Sequence, residues 1–168
     1  MRSPLRRAAV LIAASVLLPV LADAAQQTPN AQQKAAVMQP ITTAFNAAGA
    51  GNVKLFHDQY APSSTIADEF APFTWSGAGA QDRFFADFGK ALGEYKMTDT
   101  KLVPGQPKYV YVAGTRAYVV VPMTVSANIA GKPYRESGSM VVTLQRLQGN
   151  WKIATQSWTK GPESFNPY

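Results

Sequence analysis

The sequence predicts an α+β fold in which helices cover one face of a long antiparallel sheet. Three observations predict it. From Arg116 to Ser126 the apolar positions Ala117, Val119, Val121, Met123 and Val125 alternate with Tyr118, Val120, Pro122 and Thr124. Alternation with a period of two marks a half-buried strand, because successive side chains leave a pleated strand on opposite faces. Upstream, Val37, Ile41, Ala44, Phe45 and Ala48 form a single stripe at helical spacing, as do Phe84, Phe85, Phe88 and Leu92. Finally, the helical patterns come first and the strand patterns last, which segregates the two kinds of element.

Taken in order, the chain opens with a basic segment containing Arg2, Arg6 and Arg7, followed by an apolar run from Ala8 to Leu21 and the small-residue site Ala22-Asp23-Ala24. These three parts are the signature of a cleaved export signal over 1–24. The apolar run is shorter than the roughly 20 residues that span a bilayer, so no stable membrane anchor is expected after cleavage. The expected location is the periplasm or the exterior. A flexible polar lead, 25–30, precedes a domain over 31–168.

The first helix is expected over 31–48, with a kink or restart at Gln39 because Pro40 removes a backbone donor. Gly49 to Gly51 ends it, and Asn52 caps a short second helix over 53–59, with Leu55, Phe56 and Tyr60 on its buried side. Ala61-Pro62-Ser63-Ser64 is expected as a turn, and Thr65 to Phe70 as an extended segment. Pro72 to Ser76 offers another short strand. A third helix runs over 80–92, with Gly93 just past its end. Lys96 to Val103 is a strand, bounded by a loop between Pro104 and Pro107. A meander closes the chain: 108–112, 116–126, 134–146 and 151–158. Its turns fall at Ala113-Gly114-Thr115, Asn128 to Lys132, and Gln148-Gly149-Asn150. On the third of these strands Met140, Val142 and Leu144 share a face. On the last, either Trp151, Ile153 and Thr155 or Gln156 and Trp158 face inward.

Composition narrows the function classes. The chain has 168 residues and no cysteine, which suits one domain and excludes disulfides, thiol catalysis and cysteine-based metal sites. Its net charge is +6, from 16 basic and 10 acidic residues. Without Arg2, Arg6, Arg7 and Asp23 it is 13 against nine, or +4. Those charges are dispersed singly, and nucleic-acid binding needs a clustered basic footprint. Ser76-Gly77-Ala78-Gly79 lacks the lysine of a phosphate loop. A single histidine, His57, makes a zinc site improbable. No cofactor and no metal are expected.

Several stretches in this order resemble the nuclear-transport-factor-2-like (NTF2-like) superfamily, which includes ketosteroid isomerases and SnoaL-like polyketide cyclases. They are Phe45-Asn46-Ala47-Ala48-Gly49, Tyr60 to Ile66, Gly79 to Phe85, and Gly149-Asn150-Trp151-Lys152-Ile153. The resemblance runs from about Ala31 to Lys160. It implies a curved sheet wrapped around three helices, a cone with a pocket at its open end. It also implies a general base at Asp68, with Glu69 as the alternative, since a partly desolvated carboxylate is a stronger proton acceptor. The oxyanion donors of a ketosteroid isomerase fall on Ile41 and Val142, neither of which donates a hydrogen bond. Loss of one such donor typically costs about 2.7–4 kcal/mol of transition-state stabilisation, so the standard isomerase reaction is not expected.

Candidate ligand-binding residues are Trp75, Tyr118, Gln156 and Trp158, aromatic or amide groups suited to a small apolar molecule. His57, between Phe56 and Asp58, is expected at the surface. Tyr118, Val120, Pro122 and Thr124 make one sheet face apolar enough for a homodimer. The expected function is small-molecule binding in the cone. The alternatives are a SnoaL-like isomerase, cyclase or lyase that uses Asp68, or a dimeric scaffold for another exported protein.

Overall fold

The computed structural model describes residues 28–161. The expected export signal and the residues beyond Gly161 lie outside this range. Three helices and seven strands follow in the order α1 (Ala31–Gly49), α2 (Val53–His57), β1 (Tyr60–Ala67), β2 (Thr74–Ala78), α3 (Ala80–Glu94), β3 (Met97–Pro104), β4 (Tyr109–Ala113), β5 (Arg116–Ile129), β6 (Lys132–Leu147) and β7 (Asn150–Lys160).

Asn30, at the end of the polar lead, caps α1. Its side chain accepts from the Gln33 amide, and the Gln33 side chain accepts from the Asn30 amide, a reciprocal capping box. The expected restart at Gln39 does not occur, and α1 runs unbroken through Pro40. Pro40 is buried with Val37, Ile41, Ala44 and Phe45, so tertiary packing holds the helix together where one backbone bond is missing. Asn52 caps α2 through the Leu55 amide, as its sequence position suggests.

The strands form one sheet in the order β2-β1-β7-β6-β5-β3, and β4 also pairs with β5. From β4 to β7 it is the expected antiparallel meander. The long strand β5 serves two partners on one edge, with β4 along Arg116–Val120 and β3 along Met123–Ile129. Gly105 and Lys108 stitch the intervening loop to the carbonyls of Pro122 and Val120. The two long hairpins turn at Ala130-Gly131 and Gln148-Gly149, all four residues at positive φ, the handedness that matches strand twist.

Two features depart from expectation. Ala61-Pro62-Ser63-Ser64 is not a turn but part of β1, which pairs parallel with β7. The ladder with β7 is irregular between Tyr60 and Thr65, so Pro62 occupies a stretch where no bond to β7 is required of it. Tyr60 thus opens β1 instead of closing α2. In addition, β7 carries a bulge. Thr143 faces Thr155 and Leu144 faces Ile153, which leaves Ala154 without a partner. One extra residue reverses the parity of the strand. Trp151 and Ile153 therefore point inward before the bulge, and Gln156 points inward after it.

Helix α1 packs on β3 and β7, and α3 packs on β1 and β2. The core between helices and sheet joins Ile41, Phe45, Phe56, Val119, Val121, Val142, Leu144 and Ile153.

Candidate functional site

The parallel pairing of β1 with β7 places the C-terminal ends of both strands at one end of the cone. The register Ile66–Gln156 and Ala67–Ser157 brings Asp68, just past β1, level with Trp158. On the next strand, Met140 pairs with Trp158 and Gly138 with Lys160, so Glu136 on the same face of β6 lies at this end too. Val125 of β5 pairs with Glu136. The site is thus built from these four strands and from Met97, Thr100 and Leu102 of β3, closed over by Phe84, Phe88, Leu92 and Tyr95 from α3 and the residue after it.

The cavity has a volume of about 230 Å³. This is smaller than the roughly 300–1,000 Å³ of drug-sized sites, and it suits a compact ligand. Its wall is apolar and aromatic, with Phe45, Phe56, Phe70, Phe88, Met123 and Met140 prominent. The polar groups are few: Asp68, Glu69, Thr100, Tyr95, Tyr134, Glu136, Gln156 and Lys160.

Asp68 is the chemically unusual group. Burial pushes its carboxyl up to about 7, the nearby Glu136 charge pushes in the same direction, and Lys160 partly offsets both. Its Oδ1 accepts from the Glu69 amide at 2.8 Å. A carboxyl titrating near neutrality is matched to proton transfer at that pH. Gln156 is 3% exposed, and its Oε1 accepts the Tyr60 hydroxyl at 2.5 Å. The side-chain amide thereby keeps its NH2 group to offer. Burial raises the Tyr60 hydroxyl well above the ordinary tyrosine range, and the Asp68 charge adds to the effect, so Tyr60 stays a neutral donor.

Glu136 was not singled out by sequence reasoning. It is 4% exposed. Its Oε2 accepts the Tyr134 hydroxyl, while Oε1 has no hydrogen-bond partner among the described residues. Lys160 Nζ stands 3.7 Å from Oε1 and 2.8 Å from Glu69 Oε2. The alternation of Met140, Val142 and Leu144, extended backwards by twos, reaches Gly138 and then Glu136. That parity was the available signal.

Of the sequence candidates, Asp68, Glu69, Gln156 and Trp158 come together on the cavity wall. Two do not. Trp75 is 3% exposed but sits behind the wall, packed on Phe70 and edge-on to Phe84, with its indole nitrogen donating to Asp87 at 2.9 Å. Tyr118 is corrected more strongly. Its neighbours Ala117 and Val119 take the inward face of β5, so it lies on the outer face, 40% exposed and beside Tyr111. His57 is half-buried and bonds Asp82 at 2.8 Å on α3, outside the cavity. Ile41 and Val142, at the places of the missing oxyanion donors, are fully buried core residues. Among the described residues, no group of three or more His, Cys, Asp or Glu side chains is placed to hold a metal ion.

No protein-family model matches the sequence, and no curated protein matches it. Solved structures do. An NTF2-like protein with a cystatin-like fold from Novosphingobium aromaticivorans superposes with a TM-score of 0.64 at 16% identity, covering 80% of this chain and 85% of that one. An NTF2-like superfamily protein from Salmonella enterica serovar Typhimurium gives 0.64 at 13% identity, over 80% and 96%. The structure of the protein Aln2 from a Streptomyces species gives 0.66 at 13% identity, over 80% and 94%. At such identities the likeness is one of fold and leaves chemistry to the site itself. The chain has the NTF2-like, cystatin-like fold.

Proposed function

We propose that this is an exported NTF2-like protein that holds a compact apolar molecule in its cavity. The observation that carries the reading is a cavity with a mainly apolar, aromatic-rich wall, open at one end of an otherwise packed cone. The test is a thermal-shift screen against small aromatic and alicyclic molecules. A ligand at 100 times its Kd adds about 2.7 kcal/mol of stability. A hit should vanish in Trp158→Ala, which removes a wall residue, and persist in Tyr118→Ala. Persistence in Trp158→Ala would place the ligand elsewhere.

A second reading is a cofactor-independent isomerase, cyclase or lyase with Asp68 as its base, and the near-neutral titration of Asp68 favours it. In that case Asp68 takes a proton from the bound molecule and returns it at another atom, while the Gln156 amide faces developing negative charge. Asp68→Asn then abolishes turnover and leaves affinity nearly unchanged. For the homodimer, the supporting feature is the outer face with exposed Tyr109, Tyr111, Tyr118 and Val103. Sedimentation of the wild type against Tyr118→Asp tests it.

A further inference from the structure

The open end of the cone holds more negative charge than its own side chains neutralise. Among the described residues, Asp68, Glu69 and Glu136 face one cation, Lys160. With Asp68 protonated, two carboxylates oppose one ammonium and leave one negative charge over; with Asp68 ionised, two are left over. The distribution is also uneven. Lys160 is drawn to Glu69 at 2.8 Å, near solvent, and stays 3.7 Å from the deeper Glu136. Glu136 Oε1 is buried without a hydrogen-bond donor among the described residues, and a buried carboxylate oxygen without a donor is costly to the fold. Alongside an ordered water or an ion, a ligand donor is one way to complete such a group. Phe70, Phe88, Tyr95 and Trp158 share the wall with it, and aromatic faces attract a cation as well as an apolar body.

We propose that the cavity is built for a small hydrophobic amine, whose ammonium group donates to Glu136 Oε1 while its apolar body lies against the aromatic wall. This inference rests on the cavity being a ligand site. An anionic ligand would enter against the excess charge, with the one lysine already paired. A neutral ligand without a donor would leave Oε1 as it is. The charged and titratable groups lining the cavity are Asp68 and Glu69 at the end of β1, Tyr95 after α3, Tyr134 and Glu136 on β6, and Lys160 on β7, with the Tyr60 hydroxyl behind Gln156. A bound cation favours ionised Asp68, so amine affinity should rise with pH through the range in which Asp68 loses its proton.

Three molecules of similar shape test the proposal: phenethylamine, phenethyl alcohol and phenylacetate, titrated calorimetrically into the protein at pH 8 and pH 5.5. The expected result is an amine bound at least about tenfold more tightly than the alcohol at pH 8, with a smaller preference at pH 5.5. Glu136→Gln should reduce the amine to about the affinity of the alcohol and change the alcohol far less, because a neutral hydroxyl can donate to a glutamine oxygen in place of a carboxylate. Lys160→Met, at an exposed position, should tighten amine binding by removing a competing cation, and gives a readout even if Glu136→Gln folds poorly. Equal binding of amine and alcohol overturns the amine inference and leaves the cavity reading standing. Tightest binding of phenylacetate, or weaker amine binding in Lys160→Met, also overturns it. Binding of none of the three overturns the amine inference and the cavity reading together.

Discussion

The two ends of the cone are built by the same strands on the same inward faces, with opposite chemistry. At the closed end, β5 contributes Val119 and Val121, β6 contributes Val142 and Leu144, and β7 contributes Ile153, all fully buried and apolar. At the open end, β5 contributes Met123 and Val125, β6 contributes Glu136, Gly138 and Met140, and β7 contributes Gln156, Trp158 and Lys160. The bulge at Ala154 separates the two halves of β7 and turns Gln156 inward. The closed end carries the stability of the fold. The open end gives some of that stability up, in a buried acid near neutrality and an unsatisfied carboxylate oxygen, and such concessions are characteristic of functional sites.

The comparison breaks first at the closed end. Ile153→Ala removes a fully buried side chain wedged between sheet and helices, and should cost about 2–5 kcal/mol by denaturant unfolding. A loss under about 1 kcal/mol would mean that this end is not the packed half.

At the open end the largest effect should have the opposite sign. The Asp68 carboxyl titrates at about 7 in the folded protein against 3.8 for an ordinary aspartate. Folding therefore favours its protonated form. The fold bears no penalty from Asp68 below about pH 4, and the penalty grows as pH rises to about 7 and then stays constant. At about 1.36 kcal/mol for each pH unit, its ceiling is about 4 kcal/mol. Asp68→Asn removes the charge, so it should raise the Tm at pH 8 and change it little at pH 4. A variant less stable than wild type at pH 8 would show that the Asp68 carboxylate is satisfied in the fold and is not a strained acid.

Much of this contrast was legible in the sequence. Alternation on β5 and β6 located the closed-end core, and the order of elements implied the fold. Asp68, Gln156 and Trp158 were reached through the family resemblance and the aromatic pattern. What stayed hidden depends on long-range pairing. The parallel register of β1 against β7, which gathers Asp68, Trp158 and Lys160 at one end, has no local signature. The parity reversal at Ala154 is a one-residue event that left Thr155 and Gln156 as equal candidates. The outward position of Tyr118 is legible in its alternation with Ala117 and Val119, a stronger signal than its aromatic character. Glu136 was missed because an acid on an apolar face reads as an interruption of the strand and not as a member of the site.

Gly138 sharpens the comparison at the next lower magnitude. A Cβ added there would collide with the Thr159 carbonyl oxygen and lie 2.5 Å from the Trp158 ring. A glycine inside a strand often marks such a close approach. Gly138→Ala should cost about 1–3 kcal/mol and, by displacing Trp158, abolish cavity binding. An undiminished ligand affinity would remove Trp158 from the site.

The smallest effect on the fold is expected on the outer face. Tyr118 carries about the same aromatic surface as a wall residue, yet it stands 40% exposed beside Tyr111. Tyr118→Asp should change the stability of the monomer by about 0.5 kcal/mol or less, the ordinary range for surface positions, and leave cavity binding untouched. If the outer face pairs two copies, the same substitution should shift sedimentation from dimer to monomer, because a carboxylate at the centre of an apolar interface would lie buried against its counterpart. Unchanged sedimentation of a wild-type monomer would leave the inward side of the sheet as its working face. A dimer that survives Tyr118→Asp would move the contact away from the Tyr109–Tyr111–Tyr118 ladder. Loss of ligand binding in Tyr118→Asp would instead join the two faces of the sheet in one function, and the division between a working inside and an inert outside would fail.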